Sequence, residues 1–168
     1  RYTLRLLTAQ QFQRASGLIC SMEAIRLTMP DRLGETPYRI GIWVGGDTTP
    51  NKNQESVSRL QSAQRNGLDD YAHALLRCPW CGSVMGPRKR NYKQKEPGAS
   101  YYICDGLRLS GKGDDKHVVL HCPDPKCELF HNELPVCVVD EEIYKNPPSL
   151  IIGTVDKFAM LAWKPEAR

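Results

Sequence analysis

A chain of 168 residues, 40% hydrophobic and 25% charged, is long enough for one ordinary globular domain or for one domain carrying an insertion. Its formal net charge of +4 is too small for a basic field over the whole surface to dictate nucleic-acid binding. No apolar run approaches the ~18 residues of a membrane span, and no signal peptide opens the chain, so no membrane contact and a cytoplasmic location are expected.

The chain starts at Arg1 without an initiator methionine and reads as a piece of a longer protein. Its seven cysteines are an odd number, and Cys20, Cys104 and Cys137 lie outside any close pair. Reduced thiols fit that pattern better than a secreted disulfide framework: four as metal ligands, three as small apolar residues.

In chain order, Tyr2 to Leu7 reads as a short apolar strand, followed by Thr8-Ala9-Gln10-Gln11, a capping box in which Thr8 and Gln11 satisfy each other's amides. Phe12, Ala15, Ile19, Met22 and Ile25 recur at three- and four-residue steps and predict an amphipathic helix facing a core. Tyr38 to Val44 predicts a second strand, and Gly45-Gly46 a turn after it. A helix is expected over 55–65 and a further helical turn over 69–77. The span 78–139 is loop-rich, apart from a strand at Tyr101-Tyr102-Ile103. Ser149 to Gly153 then predicts a buried strand, and Thr154 the cap of a helix carrying Phe158, Leu161 and Ala162. Strand–helix–strand order is the local grammar of a parallel sheet, so the fold class is α/β. Residues 1–77 and 140–168 form the sheet domain, and 78–139 a small module inserted into it.

Cys78-Pro79-Trp80-Cys81-Gly82 has the form of a zinc knuckle: two thiolates two residues apart, then a glycine that lets the backbone turn toward the sulfurs. Cys122 and Cys127 supply a second, proline-braced pair. Forty residues separate the pairs, where a compact ribbon has about fifteen to twenty. Doubling a loop costs only about 0.6 kcal/mol, against roughly 10–16 kcal/mol for structural zinc in small modules. The expected ligands are therefore Cys78, Cys81, Cys122 and Cys127. Cys104 is expected in the core, while His121 could replace a ligand. Four thiolates leave no coordination position for water, so the role is structural. A redox use of Cys78 and Cys81 is the rival, but Gly82-Ser83 is a poor start for the helix that redox motif requires.

Arg5-Leu6-Leu7-Thr8-Ala9-Gln10-Gln11-Phe12 resembles motif Ia of DEAD/DEAH-type helicases of the second superfamily, Val44-Gly45-Gly46 their double-glycine turn, and Leu150 to Ala159 their motif Ib, in the family's order. With the four cysteines between them, these phrases resemble most closely the large helicase subunits of DISARM antiphage systems. The resemblance implies a partial RecA-like domain, DNA and further defence subunits as partners, and a parent that uses ATP and Mg. No phosphate loop Gly-x-x-x-x-Gly-Lys-Ser/Thr occurs in this chain. Val138-Val139-Asp140-Glu141-Glu142 mimics the family's acidic motif but precedes the motif Ib match, and reads instead as a solvated exit from the inserted module. The segment by itself is expected neither to bind nor to hydrolyse ATP.

Thr8 and Thr154 each open a helix at the carboxyl end of a strand, where free amides can hold a phosphate; equally, both could merely cap their helices. Gln10, Arg14 and Lys157 lie nearby in sequence, and the resemblance adds Gly45 and Gly46. Arg88, Lys89 and Arg90, with Lys93 and Lys95 around Tyr92, form a basic cluster that suits phosphate contact or a solvated hairpin tip. Two functions from different classes emerge: the DNA-engaging part of an ATP-dependent helicase or translocase, and a non-enzymatic zinc-ribbon adaptor.

Overall fold

The structure, a computed structural model, describes residues 2–67, 75–91 and 100–163. The helical turn expected over 69–77 and the Tyr92, Lys93 and Lys95 part of the basic cluster lie largely or wholly outside them.

The amino-terminal part runs through a long helix, α1 (Tyr2–Thr28), then α2 (Pro30–Leu33), β1 (Ile40–Trp43) and α3 (Asn53–Asn66). The middle holds two antiparallel hairpins, β2 (Gly86–Asn91) with β3 (Ser100–Asp105) and β4 (Leu107–Ser110) with β5 (His117–Leu120). The chain then runs through β6 (Val136–Cys137), α4 (Asp140–Lys145), β7 (Leu150–Gly153) and α5 (Val155–Ala159).

A parallel sheet of order β6-β1-β7 forms the α/β framework. β1 is central because all four of its residues are buried, as a parallel strand covered on both faces must be. Gly41 is required there: a Cβ would lie 2.9 Å from Pro148 Cγ and 3.2 Å from Ile143 Cδ1, so α4 and the proline pair close directly onto the strand. β7 pairs along its whole length with β1, from Ile40↔Leu150 to Trp43↔Gly153. The third strand, β6, comes from the end of the span read as an inserted module.

The strand expected at 2–7 is not present. Those residues are the first turns of α1, and Thr8 lies inside that helix instead of opening it. Leu, Arg, Ala and Gln are strong helix formers, and a helix closes its own hydrogen bonds, whereas a parallel strand needs a neighbour. The buried face of α1 is also rotated from the expected one. Phe12 and Ile19 are buried, but Met22 and Ile25 are exposed, and Ser16, Cys20, Glu23 and Arg26 go inward. Arg26 forks onto Glu23 at 2.8 and 2.7 Å and donates to the carbonyls of Gly34 and Glu35, while Glu23 also accepts the Tyr38 amide. This bidentate pair steers the chain from α2 back into β1.

The two hairpins of the middle span do not hang free of the sheet. One hydrophobic cluster joins Phe12, Ile19 and Cys20 of α1, Ile40 and Ile42 of β1, Leu120, Leu129 and Val136, and three of the paired cysteines. A second packs Leu60 and Ala63 of α3 against Cys104, Leu107 and Val118.

Candidate metal centre and sheet edge

The first knuckle is a tight hairpin. Arg77 bridges Val84, the Cys78 amide donates to the Ser83 carbonyl at 2.8 Å, and the Gly82 amide donates to the Cys78 carbonyl at 2.9 Å. Gly82 sits at φ +78, a left-handed conformation that a side chain would oppose. In the second knuckle, the Asp124 carboxylate accepts the Lys126 amide at 2.9 Å, and the Asp124 amide points at Cys122 Sγ from 3.4 Å. The Ser83 hydroxyl donates to Asp124 at 3.2 Å and ties one knuckle to the other.

These turns bring Cys78, Cys81, Cys122 and Cys127 together, with all four sulfurs within 4.8 Å of one another and the Cys81–Cys122 pair at 3.5 Å. A tetrahedron of thiolates about 2.3 Å from one ion has edges of about 3.8 Å. The four residues could therefore hold one metal ion, and the donor set is soft and fully coordinating. None of the seven cysteines is in a disulfide. The four cysteines expected as ligands are thus brought together, and Cys78 and Cys81 do not stand apart as a dithiol alone.

Burial pushes the Cys127 thiol up to about 11 and Cys122 higher still, so an ion bound here would have to displace those protons. Cys81 is the exposed member. Desolvation raises its thiol, but hydrogen bonds from Ser83, Cys122 and Cys127 outweigh this and bring it down to about 7. His121 is not a member: its Nδ1 lies 3.0 Å from the Cys122 carbonyl. Cys104 and Cys137 are buried elsewhere, as expected of small apolar residues. Cys20, pushed up to about 12 by burial, shares the cluster with the four, and the Cβ direction of Gly17 one turn earlier meets the Pro79 carbonyl at 3.4 Å. α1 therefore lies directly against the first knuckle.

A second polar centre stands at the carboxyl edge of the parallel sheet. Asp140, expected in a solvated exit, is 2% exposed. Its carboxylate takes Lys157 Nζ at 2.7 Å and the Trp43 indole N–H at 3.2 Å on the same oxygen. Lys157 also reaches Asn51 Oδ1 at 3.5 Å. The charge of Lys157 is thus directed inward, and burial made the acid intelligible: three elements, β1, α4 and α5, meet on it. The signal available in the sequence was the apolar run Val136 to Val139 leading straight into Asp140.

Thr154 occupies the position before α5, but its hydroxyl makes no cap hydrogen bond and is buried without a partner among the described residues. Phe158 of α5 is 40% exposed and meets Trp43 edge to face at 5.7 Å. Gly45 and Gly46 begin the turn after β1; the Gly45 carbonyl accepts the Thr48 amide, and the Gly46 carbonyl accepts from Arg59 at 2.5 Å. Gln10 and Arg14 are exposed on α1. Arg88, Lys89 and Arg90 are exposed on β2.

A parallel three-stranded α/β sheet with a four-thiol cluster packed against it is consistent with part of a RecA-like domain carrying a metal-binding insertion. No family model matches the chain. It is, however, 32% identical over 171 aligned residues, 97% of its length, to the DISARM protein DrmA of Bacillus paralicheniformis. The chain is a DrmA-like segment, and it spans 14% of the length of that relative.

Proposed function

We propose that this chain is the DNA-engaging part of an ATP-dependent helicase or translocase in a DISARM-type antiphage system, held in shape by a structural zinc ion. The observation that carries this reading is the similarity to DrmA along nearly the whole chain. The parent would bind ATP and Mg elsewhere, and this segment would not turn over ATP by itself. Other subunits of the defence complex and DNA would be its partners.

Cys78, Cys81, Cys122 and Cys127 would hold the zinc and fix the two knuckles relative to α1. Contacts with the nucleic-acid backbone would come from Gln10 and Arg14 on α1, from the Gly45-Gly46 turn and Thr154 at the sheet edge, and from Arg88 and Arg90 on β2. Such contacts read phosphate and not base sequence, which suits a motor that moves along any sequence. Lys157 serves this surface indirectly, by anchoring α5 to Asp140. The module would run from Cys78 toward 139, with β6 returning it to the sheet.

The test uses the intact parent protein. Arg14→Ala spares every buried contact described above, since Arg14 is exposed. It should lower DNA affinity and DNA-stimulated ATP turnover while basal turnover persists. A parent whose ATP turnover ignores DNA altogether would remove the helicase reading.

A second reading, a zinc-ribbon adaptor that docks a protein, draws on the exposed stripe Leu18, Met22 and Ile25 along α1. Polar substitutions there that abolish assembly with another subunit but leave DNA-stimulated turnover intact would favour it.

A further inference from the structure

The β2–β3 hairpin has two faces, and the register of its strands sorts the basic cluster between them. Arg88 stands opposite Ile103, Lys89 opposite Tyr102, Arg90 opposite Tyr101 and Pro87 opposite Cys104. Side chains directly across an antiparallel pair share a face, and alternate residues share one along each strand. Lys89, Tyr102, Pro87 and Cys104 therefore belong together, as do Arg88, Arg90, Tyr101, Ile103 and Asp105.

Packing tells which face is which. Cys104 is buried against Leu60 and Ala63 of α3. The Tyr102 ring closes over the end of that helix, where a Cβ on Gly67 would stand 2.7 Å from its Cζ. The face containing Lys89 thus turns toward α3. The other face looks outward: Ile103 is 38% exposed, and the Arg88 side chain 58%.

We propose that this outward face is a platform for single-stranded nucleic acid, in which Arg88 and Arg90 hold successive phosphates while a base lies on Tyr101 and Ile103. The proposal rests on the nucleic-acid reading above and deepens it by naming the strand state and the residues. Two residues along a strand place the guanidinium-bearing positions about 6.8 Å apart, comparable with the step between phosphates of an extended strand. A ring and an aliphatic side chain between two cations offer a base its flat side, which a duplex keeps stacked away. Among the described residues, Asp105 is the opposing charge on this face. Its pair with Arg88, 2.5 Å long, is solvent-exposed on the arginine side and so is exchanged for a phosphate at little cost. Lys89 takes no part.

The experiment measures binding by the intact parent of a fluorescent oligothymidine and of a hairpin duplex of equal length, across a salt series. The Arg88→Gln/Arg90→Gln pair should weaken single-strand binding about tenfold and flatten the salt slope by about 1.4, the counterions of two phosphates. Tyr101→Leu, which keeps the apolar surface, should weaken single-strand binding roughly tenfold, with the salt slope, duplex binding and melting temperature unchanged. Lys89→Gln should match the parent. Equal damage from Lys89→Gln and Arg90→Gln would overturn the proposal, as would full affinity in Tyr101→Leu. If Arg14→Ala weakens DNA binding while every hairpin variant binds normally, the platform falls and the wider nucleic-acid reading stands. If the parent binds neither probe, both fall.

Discussion

The two polar centres of this chain are built on opposite principles. The cysteine centre gathers four ligands from two short turns, each shaped by its own backbone hydrogen bonds and joined by the Ser83–Asp124 contact. The sheet-edge centre gathers Trp43, Asp140 and Lys157 from three separate elements, each placed by the sheet register. The first is a set of local turns that one ion could cross-link. The second needs the whole fold before its charges meet. Loss of one ligand should therefore open a module, whereas loss of one charge should strain the sheet.

The largest expected effect follows from removing a ligand. Cys78→Ser or Cys127→Ser should reduce zinc, measured by elemental analysis of protein purified without added metal, from about one per chain to near none. Because Cys78, Cys122 and Cys127 lie in the same cluster as Phe12 and Ile42, thermal unfolding should also move down sharply and lose cooperativity. Cys137→Ala, in a different cluster, should keep the metal. Full zinc in both ligand variants would dissolve the contrast between the two centres.

Lys157→Met should come next, by leaving the buried Asp140 carboxyl without its cation and with only the Trp43 N–H. Breaking a buried pair from one side costs about 3–5 kcal/mol, readable by denaturant unfolding. Adding Asp140→Asn, which still accepts the Trp43 N–H, should restore most of that loss, and zinc content should not change in either variant. An additive double mutant would mean that the two side chains act independently.

Phe158→Ala should have the smallest effect. Its edge-to-face contact with Trp43 is worth about 0.5–1.5 kcal/mol, and the ring is already 40% exposed. A loss of several kcal/mol would show that α5 is far more deeply integrated than its exposure indicates.

What was legible in the sequence follows the same division. The gathering of the four cysteines could be read from spacing because thiols three and five positions apart have few other arrangements around one point. β1 and β7 could be read as strands because both are continuous apolar runs, but β7, expected to be buried, pairs on one edge only among the described strands and is exposed to half-buried. β6 was hidden, since two residues carry no periodicity. The face of α1 was misjudged because Glu23 and Arg26 neutralise each other and go inward, so the apolar stripe at Met22 and Ile25 was not the buried one. Asp140 was misread for the same reason: a charge next to two glutamates looks solvated until its partner arrives from Lys157. Thr8 shows the limit of motif reading, because the capping box Thr8–Gln11 is also compatible with uninterrupted helix.

The pairing of Ile40 with Val136 sets an order of events during synthesis. β1 leaves the ribosome about a hundred residues before its first sheet neighbour, an interval of roughly 5–20 seconds at ordinary elongation rates. Throughout it, an apolar strand stands without a ladder on either side. The cysteine turns emerge within that interval and sit in the cluster that covers Ile40 and Ile42. The fourth thiol, Cys127, precedes Val136 by only nine residues, so metal capture would shield the nascent strand just as β6 arrives and before β7 does, and zinc-starved cells should accumulate this region as an aggregation-prone intermediate.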